Sequence, residues 1–205
     1  SSNFDLSNSN KLIDFSEPSS IYIGTPNGFN LFDKSQNNIK RYFKQRSSTL
    51  LSNRVNSVFR ISKKEIFIAT DNGLNIFNTF SKKFEKKIIG KGKDITHVFK
   101  MGFELYCFIS DGKLYTFKLD NDNVSTDLNV TLNLFRKDKR INAIKKNNLL
   151  YAYSKGTNEL VIVDLDKLTK KQIEFQSNIQ TLLISDGKIF AGTNQGFFET
   201  STNFK

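Results

Sequence analysis

An all-β chain built from a repeated unit of short strands is predicted by three features of the 205 residues. An octapeptide returns five times. Residues 21–28 (IYIGTPNG) and 66–73 (IFIATDNG) are the clear copies, and 105–112 (LYCFISDG), 149–156 (LLYAYSKG) and 189–196 (IFAGTNQG) the divergent ones. Its closing glycines, Gly28, Gly73, Gly112, Gly156 and Gly196, recur about every forty residues, the period of a four-stranded blade. Turn dipeptides sit at one place in the unit: Asn27-Gly28, Asn72-Gly73, Asp111-Gly112 and Gln195-Gly196. Together these observations point to a β-propeller, with five four-stranded blades.

The second unit is the clearest, with strands predicted over 55–61, 65–70, 74–78 and 84–89. Asn72-Gly73 predicts a two-residue type I′ hairpin, because both central residues of that turn need positive φ. The first unit reads as strands at 12–16, 21–25, 29–33 and 39–43, the third at 95–100, 105–109, 113–119 and 128–135. The fourth reads as 141–145, 149–153, 160–165 and 172–175, with a looser hairpin because Thr157-Asn158 follow Gly156. The fifth offers only 179–185, 188–193 and 197–200. Residues 2–6 (SNFDL) precede the first inner strand, and they are expected to supply the missing outer strand, closing the ring and hiding its open edge. The expected layout is one domain over 1–205, with blades at about 12–43, 55–89, 95–135, 141–175 and 179–200 plus 2–6. A piece of a larger ring is the alternative layout. Phe29, Phe32, Phe59, Phe67, Phe77, Phe99, Phe108, Phe117, Phe190 and Phe197 fall on predicted strands, where aromatic rings fill the wedge between blades.

Composition narrows the class further. One cysteine, Cys107, rules out an intrachain disulfide framework; lying in an apolar run, it reads as a buried small hydrophobe. No apolar run approaches the ~18 residues that a membrane-spanning helix needs. A formal net charge of +11 favours acidic partners without choosing among them: nucleic acid, anionic lipid headgroups, an acidic glycan or other polyanion, or an acidic protein face. Nucleic acid is not the expected partner, because the aromatic residues are accounted for by packing rather than by base stacking.

Residues 21–33 (IYIGTPNGFNLFD), 66–78 (IFIATDNGLNIFN) and 53–58 (NRVNSV) resemble the two-component regulator propeller repeat. That repeat runs as N-x-V-x-S-[IV], then [IL]-W-[IV]-G-T-x-x-G-[LI]-x-x-[FY]-[DN]; Tyr22, Phe67 and Phe190 stand where the family usually has Trp. The match is good over 21–78, fair at 189–198, and poor across the third and fourth units. The resemblance implies a bacterial, exported propeller, acting in the periplasm or at the cell surface, with its leader or anchor outside these residues. Family members are typically sensing portions of signalling proteins.

For catalysis the chain offers little. His97 is the sole histidine, so a histidine-based metal site cannot be assembled within the chain, and no cofactor is implied. A propeller glycosidase needs carboxylates converging near the axis, and only Asp14, Asp71 and Asp111 come into question. Gly90-Lys91-Gly92-Lys93 reads as an exposed connection, since it lacks the strand–loop–helix setting of a phosphate loop. Two binding candidates remain. At the starts of the inner strands, the residue after the leading apolar position is polar in every unit: Asp14, Asn56, Thr96, Asn142 and Gln180. Such residues would ring one mouth of a central channel and hold a ligand, or else satisfy backbone groups. The second candidate is the run Arg136-Lys137-Asp138-Lys139-Arg140, whose Arg136, Lys137, Lys139 and Arg140 could grip an acidic partner alongside Lys91, Lys93, Arg46 and Arg54. Lys82-Lys83 reads as an exposed outer hairpin. The expected function is a non-enzymatic protein-interaction module, with a sensing or lectin-like propeller as the alternative and a glycosidase as the minor one. An interaction module should show a broad face with an apolar patch and a charged rim.

Overall fold

The computed structural model describes residues 13–44, 50–101, 105–118, 129–135 and 141–201, and within them the chain is all β. Strands follow one another up and down into antiparallel sheets. The first sheet holds β1 to β4 (Ile13–Glu17, Ser20–Thr25, Gly28–Asp33, Asn38–Tyr42), and the second β5 to β8 (Val55–Arg60, Glu65–Thr70, Gly73–Asn78, Lys83–Ile89). The third holds β9 to β12 (Ile95–Lys100, Leu105–Ser110, Lys113–Lys118, Asn129–Asn133), and the fourth β13 to β16 (Ile141–Lys146, Leu149–Ser154, Glu159–Asp164, Thr169–Glu174). The last has three strands among the described residues, β17 to β19 (Ile179–Ser185, Lys188–Thr193, Gly196–Ser201). The expected closing strand at residues 2–6 lies outside the described residues. Two compact units are distinguished: residues 1–111 with 116–129, and residues 112–115 with 130–205.

In the first unit, the period of two along each strand sorts side chains onto a leading face, turned to the next sheet, and a trailing face, turned to the previous one. Tyr22, Phe29 and Leu31 of the first sheet's leading face meet Val55, Ile66, Ile68 and Phe77 of the second. Phe77 lies 5.0 Å from Phe29 and 5.2 Å from Tyr42, ring centre to ring centre, both edge to face. The second sheet repeats this arrangement toward the third: Phe67, fully buried, packs edge-on against Tyr106 at 5.3 Å and Phe117 at 5.7 Å. Aromatic wedges therefore join the sheets, as the strand positions of the phenylalanines predict. Gly24 shows how tight the joint is, because a Cβ there would stand 2.5 Å from Val55 Cγ1 on the neighbouring sheet.

The second unit uses the same logic with aliphatic side chains on the approaching face. Tyr151, Tyr153, Leu160, Ile162 and Phe175 of the fourth sheet meet Leu182, Ile184, Ile189 and Ala191 of the last. Its longer hairpin, anticipated from Thr157-Asn158, is tied to the start of the next inner strand. Gly156 N–H donates to Ile179 O (3.0 Å), and Ile179 N–H donates to Thr157 O (2.7 Å).

Three expectations need correction. The Asn72-Gly73 turn is not type I′: Thr70 pairs with Gly73, so Asp71-Asn72 form the loop, and only Gly73 has positive φ (119°). The cause is the threonine before the loop. Its Oγ1 accepts from Asn72 N–H (3.2 Å) and donates to Gly73 O (2.8 Å), which stabilises a different closure. Thr25 and Thr193 repeat both bonds around Pro26-Asn27 and Asn194-Gln195. In the third sheet Ser110 replaces threonine, and there Asp111 (φ 51°) and Gly112 (φ 72°) do both take positive φ. This shifts the octapeptide alignment by one: Ser110 and Ser154, not Ile109 and Tyr153, stand where Thr70 stands. Finally, Phe197 does not fill a wedge; it is 69% exposed. Cys107 is fully buried, as its apolar surroundings predict.

Candidate functional site

The polar residues at the inner-strand starts share a backbone device that their spacing does not show. In β5, Val55 pairs with Thr70 and Ser57 with Ala69, leaving Asn56 as the extra residue of a β-bulge. Thr96 is the extra residue in β9, between Ile95 opposite Ser110 and His97 opposite Ile109. Gln180 has that place in β17, between Ile179 opposite Thr193 and Thr181 opposite Gly192. Asn142 sits in regular register opposite Tyr153, and Asp14 lies opposite Tyr22, the position Phe59 takes opposite Phe67. Three of the five positions are thus equivalent in backbone terms, and Asp14 belongs further along its strand.

Their side chains are differently engaged. Asn56 Nδ2 donates to Asp94 Oδ1 (2.7 Å) and to Ile95 O (3.0 Å), joining the second inner strand to the third. Thr96 Oγ1 donates to Ile109 O at 3.3 Å within its own sheet. Asn142 is half-buried and Gln180 is exposed. Asn56 and Thr96 therefore do backbone work, whereas Gln180 is presented to solvent. Arg136, Lys137, Lys139 and Arg140 lie outside the described residues, as does Arg46. His97 stacks on Phe99 at 5.9 Å, and Lys93 N–H donates to Gly90 O in the exposed Gly90–Lys93 turn.

At the opposite end of the first unit stands a charged aromatic cluster that the sequence does not reveal. Tyr22 OH donates to Glu17 Oε2 (2.8 Å) and accepts from Lys82 Nζ (2.9 Å), while Arg60 bridges to Glu17 Oε1 (3.2 Å). Both cations also face the Tyr22 ring, 5.4 Å and 5.3 Å from its centre. Burial, then the Glu17 hydrogen bond and charge, hold the Tyr22 phenol well above its usual range. Burial alone pushes Tyr42, whose OH donates to Lys82 O, up to about 12. Lys82 is thus a latch between sheets rather than a solvated hairpin lysine. Partners on different sheets, about forty to sixty residues apart, leave no local pattern, so no spacing rule could have found it.

Among the described residues, the last sheet carries two exposed large hydrophobic side chains on one face. Its trailing face is buried against the fourth sheet. Its leading face carries Leu183 (62% exposed), Phe197 (69% exposed) and Phe190, which stacks on Phe197 at 5.7 Å. An ion pair between Lys188 and Glu199, 2.6 Å apart, borders it.

No family model matches the chain, and no curated protein matches it by sequence. Solved structures do resemble it. The extracellular domain of a hybrid two-component system from B. thetaiotaomicron matches with a TM-score of 0.68 and 19% identity, over 94% of this chain and 28% of that one. The β-propeller domain of Cps50 (Swd1) from Myceliophteria thermophila matches at 0.62 and 9% identity, over 90% and 62%. Dihydro-heme d1 dehydrogenase NirN matches at 0.62 and 11%, over 89% and 43%. The chain spans less than two-thirds of each of these chains. It has an all-β propeller fold, similar to those of that extracellular domain and of the Cps50 β-propeller domain. Since the same fold serves an extracellular domain and a dehydrogenase, function has to come from the surfaces.

Proposed function

We propose that this chain is a non-enzymatic protein-interaction module of an exported bacterial protein. The observation that carries the reading is the open leading face of β17–β19. Apolar Leu183, Phe190 and Phe197 with a Lys188–Glu199 rim make the apolar patch and charged border of a recognition surface. The repeat also defines what would cover it. Phe190 is the counterpart of Phe67, which is closed over by aromatic residues on the trailing face of the next sheet. The matching partner is a protein that presents a β-sheet with apolar residues on the approaching face. The net charge of +11 favours an acidic border on that partner. Capture from surface and periplasmic extracts tests the reading: Phe197→Asp should lose a partner that the wild-type protein and Lys171→Glu both retain. Equal capture by all three would remove this face from the reading.

A second reading, a sensing or lectin-like site at the inner-strand starts, is favoured by Gln180, which a bulge sets outside the ladder and in solvent. Binding to glycans and polyanions at low and high salt separates the two. One glycan held through high salt, and lost in Gln180→Ala or Asn142→Ala, supports the site; binding that collapses with salt reflects net charge alone.

A further inference from the structure

One turn recurs in three sheets with the same backbone and different exposed side chains. In the first, Asp33 Oδ1 accepts from the N–H groups of Ser35 (2.9 Å) and Gln36 (3.2 Å). In the fourth, Asp164 Oδ1 accepts from Asp166 (3.0 Å) and Lys167 (3.0 Å). In the second, Asn78 Oδ1 accepts from Phe80 (3.0 Å) and Ser81 (3.0 Å). The residue two after the capping side chain is therefore Ser35, Asp166 or Phe80. The turn does not need a phenylalanine there, and this one is 72% exposed.

The Phe80 turn carries ties that its counterparts do not repeat. Its Thr79 N–H bond to Lys64 O (2.7 Å) is common to all three turns, as Lys34 to Ser19 O and Leu165 to Asn148 O (both 2.8 Å), but Thr79 Oγ1 also donates to Lys63 O (2.7 Å), binding it twice to the neighbouring β5–β6 turn. Tyr42 OH and Lys82 Nζ pin its other side to the first sheet. An apolar ring is thus kept pointing into water by a preorganised frame, with Lys63, Lys64 and Lys83 exposed on the two joined turns.

We propose that this tip of the first unit docks on anionic phospholipid, with Phe80 entering the interfacial layer and Lys63, Lys64 and Lys83 resting on the headgroups. A lone projecting ring finds no matching flat apolar area around it for a protein interface, whereas a bilayer deforms to accept it. The exposed charged residues of the two turns are all lysines, which are depleted at protein interfaces but are the usual partners of anionic headgroups. Lysine stems also lie along an apolar surface while the ammonium groups stay wet.

The chain contains no tryptophan, so Phe80→Trp places a single fluorescent reporter at the tip. The probes are phosphatidylcholine vesicles with and without about one-third phosphatidylglycerol. The expected result is a blue-shifted emission with the anionic vesicles only, reversed by high salt. Phe80→Ser, which installs the residue of the first sheet's turn, should co-sediment with these vesicles about tenfold less well at an unchanged melting temperature. Lys63→Glu with Lys64→Glu should weaken sedimentation likewise. An unshifted Trp emission in the presence of anionic vesicles overturns the proposal and leaves the tip for a protein partner. Equal sedimentation of Phe80→Ser and wild type also overturns it, because adsorption would then be charge alone.

Discussion

The β5–β8 and β17–β19 sheets start from similar octapeptides, yet the structure treats their leading faces in opposite ways. Phe67 in the first and Phe190 in the second hold the same register position, one opposite Phe59 and the other opposite Leu183. Phe67 is fully buried under Tyr106 and Phe117; Phe190 shares its face with Leu183 and Phe197, which are mostly in water. The repeat sequence therefore specifies a surface suited to burial, and the neighbour decides whether burial occurs. Where no neighbour is described, the same surface stands in water.

Paired substitutions give the sharpest test of this contrast. Phe67→Ala removes a ring from a closed joint and should cost about 3–5 kcal/mol in denaturant unfolding, whereas Phe190→Ala should cost about 1 kcal/mol or less. Equal costs would break the comparison. The next effect is smaller. Gly73 and Gly196 share positive φ, but a Cβ at Gly73 would lie about 3 Å from Leu51 Cδ1 and two carbonyls, while at Gly196 nothing lies within 4 Å. Both alanine variants carry backbone strain of about 1–2 kcal/mol, and only Gly73→Ala should exceed it.

The threonine caps should follow the same order. Thr70 is fully buried and Thr193 is not, so Thr70→Val should cost about 1–3 kcal/mol and Thr193→Val under about 1 kcal/mol by thermal melting. The smallest effect is alkaline. Tyr22 and Tyr42 titrate above their unfolded value near pH 10, so folding favours their protonated forms. That contribution is complete below pH 10 and is lost as pH rises toward the folded values. Melting temperature should fall over that range, and Tyr22→Phe should flatten the fall.

Much of the architecture is legible in the chain because it rests on local periodicities. Alternating apolar residues and Asn-Gly turns are short-range signals, and they place the described strands within a residue or two, apart from β16, which starts at Thr169 rather than Gln172. The errors arise where a side chain outside the turn dipeptide decides. Thr70 converts the expected type I′ turn, and Ser110 restores it one residue away. The surfaces were less legible. Phe197 reads like any strand phenylalanine, since exposure depends on a neighbouring sheet and not on its own pattern. Lys82 reads like any surface lysine until Tyr22 is brought beside it.

The central claim, an open apolar face on the last sheet, is tested most directly by native thiol labelling of Phe197→Cys. Cys107 is fully buried, so the wild-type protein should not label and gives the background. The account predicts that the variant labels about as fast as a free thiol and that melting is unchanged. A variant protected to the level of the wild type would show the face already covered within the chain, and the interaction surface would then have to be sought elsewhere.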